Sequence, residues 1–302
     1  MINGLQMSAY DPFFCLDAKR AMLVLSLQSQ LVYGYAGNSA AVPVLQAAGL
    51  TVLPVPTTLL SNTPHYPDFT RAPIGAKEVG DLLSGIMQRV QPSDITAVLT
   101  GWMGSAEIVR TTAAFIRELK ARHPGVLYLC DPVMGDAKSG LYVNPACAEA
   151  IAEALVPLAD ILTPNTFELD RLQGTEPASI VARLRALSGP ANRPVVVSSV
   201  PAEDGTVANV AGTAKGEVWR VRTPLLSPAL TGTGDVMTAR FLAAWLEGES
   251  LANALALGVG GIFAVIEAAE QRGAPEMPLT QVMRQVLAPS RRFVPERWTD
   301  EA

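Results

Sequence analysis

Residues 95–131 read ITAVLTGWMGSAEIVRTTAAFIRELKARHPGVLYLCD. The stretch opens on Ile95–Thr100, an apolar and β-branched run with the composition of a strand. Ser105 stands where a helix N-cap belongs, and Ile108, Thr112, Phe115, Ile116 and Leu119 follow at helical spacing on one face. Arg122-His123-Pro124-Gly125 stops that helix, and Val126–Cys130 is a second apolar strand. Strand, capped helix and strand make the unit of a parallel sheet, and strands apolar on both faces need helices on both sides.

The same alternation continues outward. Upstream, strands are expected at Met22–Gln28 and Thr51–Val55, with helices at Asn38–Ala48 and Ala76–Val90. Downstream, helices are expected at Pro145–Leu155, Phe167–Leu172 and Ile180–Leu187, with strands at Asp160–Leu162 and Pro194–Ser199. Residues 201–222 break the pattern and read as an antiparallel hairpin or flap. Helices over about Asp235–Leu246, Leu251–Glu267 and Leu279–Leu287 follow. The expected fold is α/β and three-layered, a central mostly parallel sheet with helices on both faces and a small β flap. No linker or internal repeat is visible, so residues 22–290 are expected to form a single domain. Residues 1–21 read as an N-terminal tail and residues 291–302 as a C-terminal tail.

With 49% hydrophobic and 17% charged residues in 302, the chain has ample material for a core and is not of the disordered class. A net charge of −5 offers no electrostatic footprint for nucleic acid. Cys15, Cys130 and Cys147 are isolated, so neither a zinc site nor a disulfide framework is expected, and a cytoplasmic location fits. The most apolar stretch, about Ala254–Ile266, is shorter than a membrane span and reads as a buried helix; no membrane partner is expected. The first 21 residues lack the apolar run of a signal peptide.

Open parallel sheets bind ligands beyond the carboxyl ends of their strands. Ser29, Thr57, Trp102, Asp131, Thr163 and Ser198 all follow or end expected strands. Neither a Walker A loop nor a G-x-G-x-x-G after the first strand occurs. Gly232-Thr233-Gly234-Asp235 stands where a loop becomes a helix, a place whose amides and dipole suit a phosphate. The carboxylate there has a purpose if it takes a proton from a hydroxyl attacking that phosphate; otherwise Asp235 is an N-cap. Asp131-Pro132-Val133-Met134-Gly135-Asp136 offers two carboxylates, either for Mg²⁺ or for capping a turn. Asn165 and Glu168 either form a capping box or meet a phosphate and a metal-bound water. Tyr33 and Tyr35 flank a glycine in a loop suited to a small aromatic ligand, and Trp102 is a stacking platform or a rim residue.

In sum these segments resemble pyridoxal kinases of the ribokinase-like superfamily. The resemblance rests on Gln28-Ser29, Tyr33–Ala41, Ser61-Asn62, Leu99-Thr100-Gly101, Cys130–Asp136, Thr163-Pro164-Asn165 with Glu168, and Gly232–Asp235, and runs from about Met22 to Leu257. It implies a ribokinase-like fold, usually homodimeric, that phosphorylates the 5′-hydroxyl of pyridoxal, pyridoxine or pyridoxamine with ATP. By the same resemblance, Asp235 is the catalytic base, and Gly232, Thr233 and Gly234 form the anion hole. Asp131, Asp136 and Glu168 lie near Mg²⁺ and the ATP phosphates, Thr163 and Asn165 near the phosphates and a monovalent cation such as K⁺, and Ser198 on the nucleotide side. Ser29, Thr57, Trp102 and Tyr142 surround the pyridine ring. The family commonly has Gln-Ser-His and Val-Gln-Phe-Ser-Asn-His; here Gln30 and Thr63 replace those histidines. Two alternatives accompany this expectation: a hydroxymethylpyrimidine kinase, and a weakly active vitamer-binding protein of B6 homeostasis.

Overall fold

Neighbouring residues on single strands enter different cores. Val24 packs into one apolar cluster and Leu25 into another, and Leu99 and Val98, Leu129 and Tyr128, and Val196 and Val195 divide the same way. Side chains alternate across a strand with period two, so both faces of one sheet are buried. The structure, a computed structural model, describes residues 22–176, 179–202, 205–227 and 230–299. The expected tail at 1–21 lies outside the described residues.

The elements run β1 (Leu23–Leu31), α1 (Asn38–Ala47), β2 (Thr51–Leu60), β3 (Arg71–Ala72), α2 (Ala76–Met87), β4 (Ile95–Thr100) and α3 (Ala106–Arg122). There follow β5 (Leu127–Cys130), β6 (Gly135–Asp136), β7 (Gly140–Leu141), α4 (Pro145–Ala150), β8 (Ile161–Leu162), α5 (Thr166–Gln173) and α6 (Ile180–Ser188). The chain continues through β9 (Val195–Pro201), β10 (Thr206–Gly212), β11 (Trp219–Pro224), α7 (Thr233–Leu246), α8 (Leu251–Arg272), α9 (Met283–Leu287) and β12 (Glu296–Arg297). The sheet order is β12-β11-β10-β9-β8-β5-β4-β1-β2-β3. From β9 to β2 all pairings are parallel; β10, β11, β12 and β3 add antiparallel edges. Helices α2 to α6 cover one face, and α1 and α7 to α9 the other. The three-layer α/β expectation is met.

Three details differ from it. β2 runs to Leu60 rather than Val55. Pro54 and Pro56, two apart, turn their missing N–H groups to one side, and β3 pairs with β2 only at Leu59 and Leu60. The hairpin of residues 201–222 exists, but β10 and β11 extend the main sheet, because β10 pairs directly with β9. The small separate ribbon is β6–β7, formed by Gly135–Asp136 and Gly140–Leu141. Finally, Glu296–Arg297, in the segment expected to be a tail, pairs with Trp219 and Arg220.

α8 spans 22 residues, longer than the apolar stretch first read, and by length and composition could cross a membrane. It packs instead against α7, where Gly258 lets the backbone approach Met237 and Phe241.

The chain turns back on itself at β1, with β2 on one side and β4 on the other. A register shift between Gln28 and Ser29 marks the end of that strand. The strand ends beside this reversal are where such sheets hold ligands.

Candidate active site

Gly232 caps α7 in the left-handed conformation (φ 82°). A side chain there would collide with the Tyr35 carbonyl. Only glycine lets the turn lie against the 33–37 loop. The first-turn amides of α7, Thr233 to Asp235, have no carbonyl four residues earlier to bond, so they present positive dipole ends.

Asp235 sits inside that turn, half-buried, and accepts a hydrogen bond from the Gly37 N–H to Oδ2 at 2.9 Å. Burial pushes its carboxyl up to about 6, and the Gly37 bond pulls the other way. One turn along α7, the Thr238 hydroxyl lies 3.2 Å from Asp131 Oδ2 and 3.3 Å from Thr163 Oγ1. Asp131 is buried. Its carboxyl is held well above the usual range by burial and by the charges of Glu168 and Asp235. α7 thus joins the carboxyl ends of β5 and β8 to the glycine turn, and the Asp131 carboxyl lies within the field of Glu168 and Asp235. Gly37, which bonds Asp235, also packs its backbone on Ser29.

Asn165 and Glu168 form the capping box at the start of α5. Glu168 N–H donates to Asn165 Oδ1 and Asn165 N–H to Glu168 Oε2, both at 2.9 Å. Glu168 Oε1 accepts the Met134 N–H at 2.9 Å, and Asn165 Nδ2 donates to the Gly135 carbonyl at 2.8 Å. These two side chains therefore lock the 131–136 loop to the 163–168 turn. Burial still raises the Glu168 carboxyl, against the three amides that surround it.

Asp136 leaves the carboxylate cluster. Its Oδ1 accepts the Lys138 and Ser139 amides at 2.8 and 2.6 Å, and its Oδ2 the Tyr142 hydroxyl at 2.7 Å. It caps the β6–β7 turn, the capping alternative of the sequence reading; those bonds outweigh burial and lower its carboxyl. The bond also sets Tyr142 on the ribbon, half exposed, within the field of Glu168 and Asp131.

Of the remaining expected residues, Trp102 follows β4, whereas Thr57 lies within β2 and Ser198 within β9. Thr57 is buried and donates its hydroxyl to the Trp102 carbonyl at 2.6 Å, fixing β2 to the turn after β4. The Arg71 guanidinium lies 5.7 Å from the Trp102 ring centre, so one face of the expected stacking platform already carries a cation. Ser198 N–H bonds the Pro164 carbonyl at 3.0 Å and is half-buried.

The donors test the metal expectation. Among the described residues no three His, Cys, Asp or Glu side chains gather closely enough to hold an ion alone. Mg²⁺ needs only one or two carboxylates when phosphate oxygens complete its shell. Asp131, burdened by neighbouring negative charge, fits that part. The Asn165 side-chain amide is bonded at both ends within the protein, its Oδ1 to the Glu168 N–H and its Nδ2 to the Gly135 carbonyl.

The family model described as phosphomethylpyrimidine kinase matches residues 33–280. The chain belongs to the phosphomethylpyrimidine kinase family. A pyridoxal kinase of Rubrobacter xylanophilus is 36% identical over 279 residues, covering 89% of this chain and 95% of that protein. A pyridoxine/pyridoxal/pyridoxamine kinase of Bordetella avium is 42% identical over 238 residues, covering 77% and 80%. Pyridoxal kinase from Leishmania donovani, solved with ADP and pyridoxamine, superposes with a TM-score of 0.84 at 27% identity, covering 92% and 99%.

Two contributors escaped the sequence reading: Gly37 and Thr238. Thr238 could have been found, because it follows Asp235 by three residues on the same helix face. Gly37 acts from a loop with no local pattern that points to Asp235.

Proposed function

We propose that this protein transfers the γ-phosphoryl group of ATP to the 5′-hydroxyl of a vitamin B6 vitamer. One observation carries the proposal: Asp235, raised to about 6, stands in the first turn of α7, among its free amides, within the field of the buried Asp131 carboxyl. The pyridoxal kinases among its relatives, one of them holding ADP and pyridoxamine, support the choice of substrates.

Asp235 accepts the proton of the attacking hydroxyl as the new O–P bond forms and the bond to the ADP oxygen breaks. The first-turn amides of α7 hold charge on the phosphoryl oxygens. Asp131 would hold Mg²⁺, which when bound draws charge from the phosphates. Glu168 and Asn165 keep the loop bearing Asp131 in place, while Thr163 and Ser198 line the ATP phosphates. Ser29, Thr57, Trp102 and Tyr142 surround the pyridine ring. As the resemblance implies, we take the protein to act as a homodimer, and its isolated cysteines fit the cytoplasm.

The test is product formation from ATP with pyridoxal, pyridoxine, pyridoxamine and hydroxymethylpyrimidine in turn. We expect phosphorylated vitamer, lost when Mg²⁺ is chelated. The family match makes hydroxymethylpyrimidine the competing acceptor; preference for it would reassign the substrate. Phosphorylation of none would end the proposal.

The same carboxylate predicts a pH profile. A base must be ionised, so kcat/KM should fall by about tenfold per pH unit below about pH 6. A profile flat from pH 8 to 5, on protein shown to stay folded, would remove Asp235 as the titrating group.

A further inference from the structure

The chain has two histidines. His123 caps α3 at its C-terminal end. His65 lies in the 61–66 loop after β2, and its Nδ1 meets two hydroxyls, Thr63 Oγ1 at 2.6 Å and Thr231 Oγ1 at 2.9 Å. Thr63 is buried at 3% exposure, whereas Thr231 directly precedes the Gly232 turn. Tyr66 lies against the imidazole, ring centres 4.3 Å apart, and donates its hydroxyl to Glu276 Oε1 at 2.6 Å. The loop is therefore tied to two distant segments, one of which begins the phosphate-binding turn.

We infer that His65 is a positioning residue, a clasp that holds the 61–66 loop against Thr231 and so sets the acceptor side of the glycine turn. Nδ1 carries a single lone pair or a single N–H, so the two hydroxyls share it. A hydroxyl that needed only satisfaction would leave Thr231 uninvolved. Here the shared nitrogen couples the two segments, and moving one moves the other. Gly232 already rests on Tyr35, so the turn is held from two sides, by the 33–37 loop and by His65. The effect should fall on the acceptor rather than on ATP, because the clasp approaches through β2 and not through the Asp131 end.

The inference rests on the kinase proposal for its kinetic readout, and a second readout stands apart from it. His65→Ala should raise the acceptor KM by about tenfold and leave the ATP KM within about twofold, and Thr231→Val should do the same. The double variant should be no worse than either single one. Asn can place a polar atom near Nδ1, so His65→Asn should recover most of the loss, whereas His65→Gln, which mimics Nε2, should not. In amide hydrogen exchange without substrates, His65→Ala should speed exchange over residues 61–70 and 230–235 and leave β4 and β5 unchanged. Additive losses, rescue by Gln instead of Asn, or unchanged exchange at 230–235 would each overturn the clasp. If the wild-type protein phosphorylates no vitamer while the exchange result holds, the kinase proposal fails and the clasp stands.

Discussion

Asp235→Asn should lower turnover by at least about two orders of magnitude while ATP binding is retained. The two side chains have nearly one shape, and an Asn Oδ1 can still accept the Gly37 N–H now given to Asp235 at 2.9 Å. What the variant loses is the ability to take a proton. It should also melt at a higher temperature. The folded-state pKa of about 6 stands above the ordinary 3.8. The folded chain therefore binds that proton more tightly than the unfolded chain does. The ionised carboxylate destabilises the fold, an effect absent below about pH 4 and complete above about pH 6. With each unit worth about 1.4 kcal/mol, and with partial exposure discounting the shift, relief of about 1–2 kcal/mol at pH 7 is expected. Turnover, ATP affinity by calorimetry and melting at pH 7 and pH 4.5 check the combination. Near-wild-type turnover would take Asp235 out of its role. A gain in stability no larger at pH 7 than at pH 4.5 would show that the carboxylate is not strained by burial.

Local periodicity made the frame legible. The apolar strands, the helix capped by Ser105 and the polar residues that follow the strands are read from spacing alone. Local ambiguity stayed local. Asn165 and Glu168 read as capping box or ligand set, with the box favoured by spacing alone, and the box formed because its partners are three residues apart. Asp136 could not be separated from Asp131 by sequence. The difference is that Asp136 has Lys138, Ser139 and Tyr142 within its own ribbon, whereas Asp131 meets Thr238 from another element. Nothing local marks a pair such as Gly37 and Asp235, 198 positions apart, or His65 and Thr231, 166 apart. Those contacts exist because the sheet brings loops from remote stretches to one edge. The prolines of β2 hid the strand's length for a related reason. A breaker is tolerated where the partner strand is short, and partner length is a property of the whole sheet.

Gly232→Ala should damage both stability and turnover, and Gly234→Ala should not destabilise the fold. The two glycines stand two residues apart in one turn yet meet different surroundings. Gly232 holds φ at 82°, where an alanine costs about 1–2 kcal/mol, and its Cβ would strike the Tyr35 carbonyl. Backbone cannot swing away as a flexible side chain can, so the 33–37 loop or the α7 turn must shift. Either shift moves the first-turn amides relative to Asp235 and disturbs the Gly37 bond. A displacement of about 1 Å in a preorganised site can lower the rate by about a hundredfold. At Gly234 a Cβ would meet nothing within 4 Å, and alanine favours the helix it begins. Melting temperature should therefore fall by several degrees for Gly232→Ala and hold or rise for Gly234→Ala. Turnover of Gly232→Ala should drop by about two orders, with ATP affinity reduced less because Asp131 and the 163–168 turn are untouched. Equal melting temperatures for the two variants would mean that the packing of the turn on Tyr35 does not hold the site together, and the positioned amides would lose their physical basis.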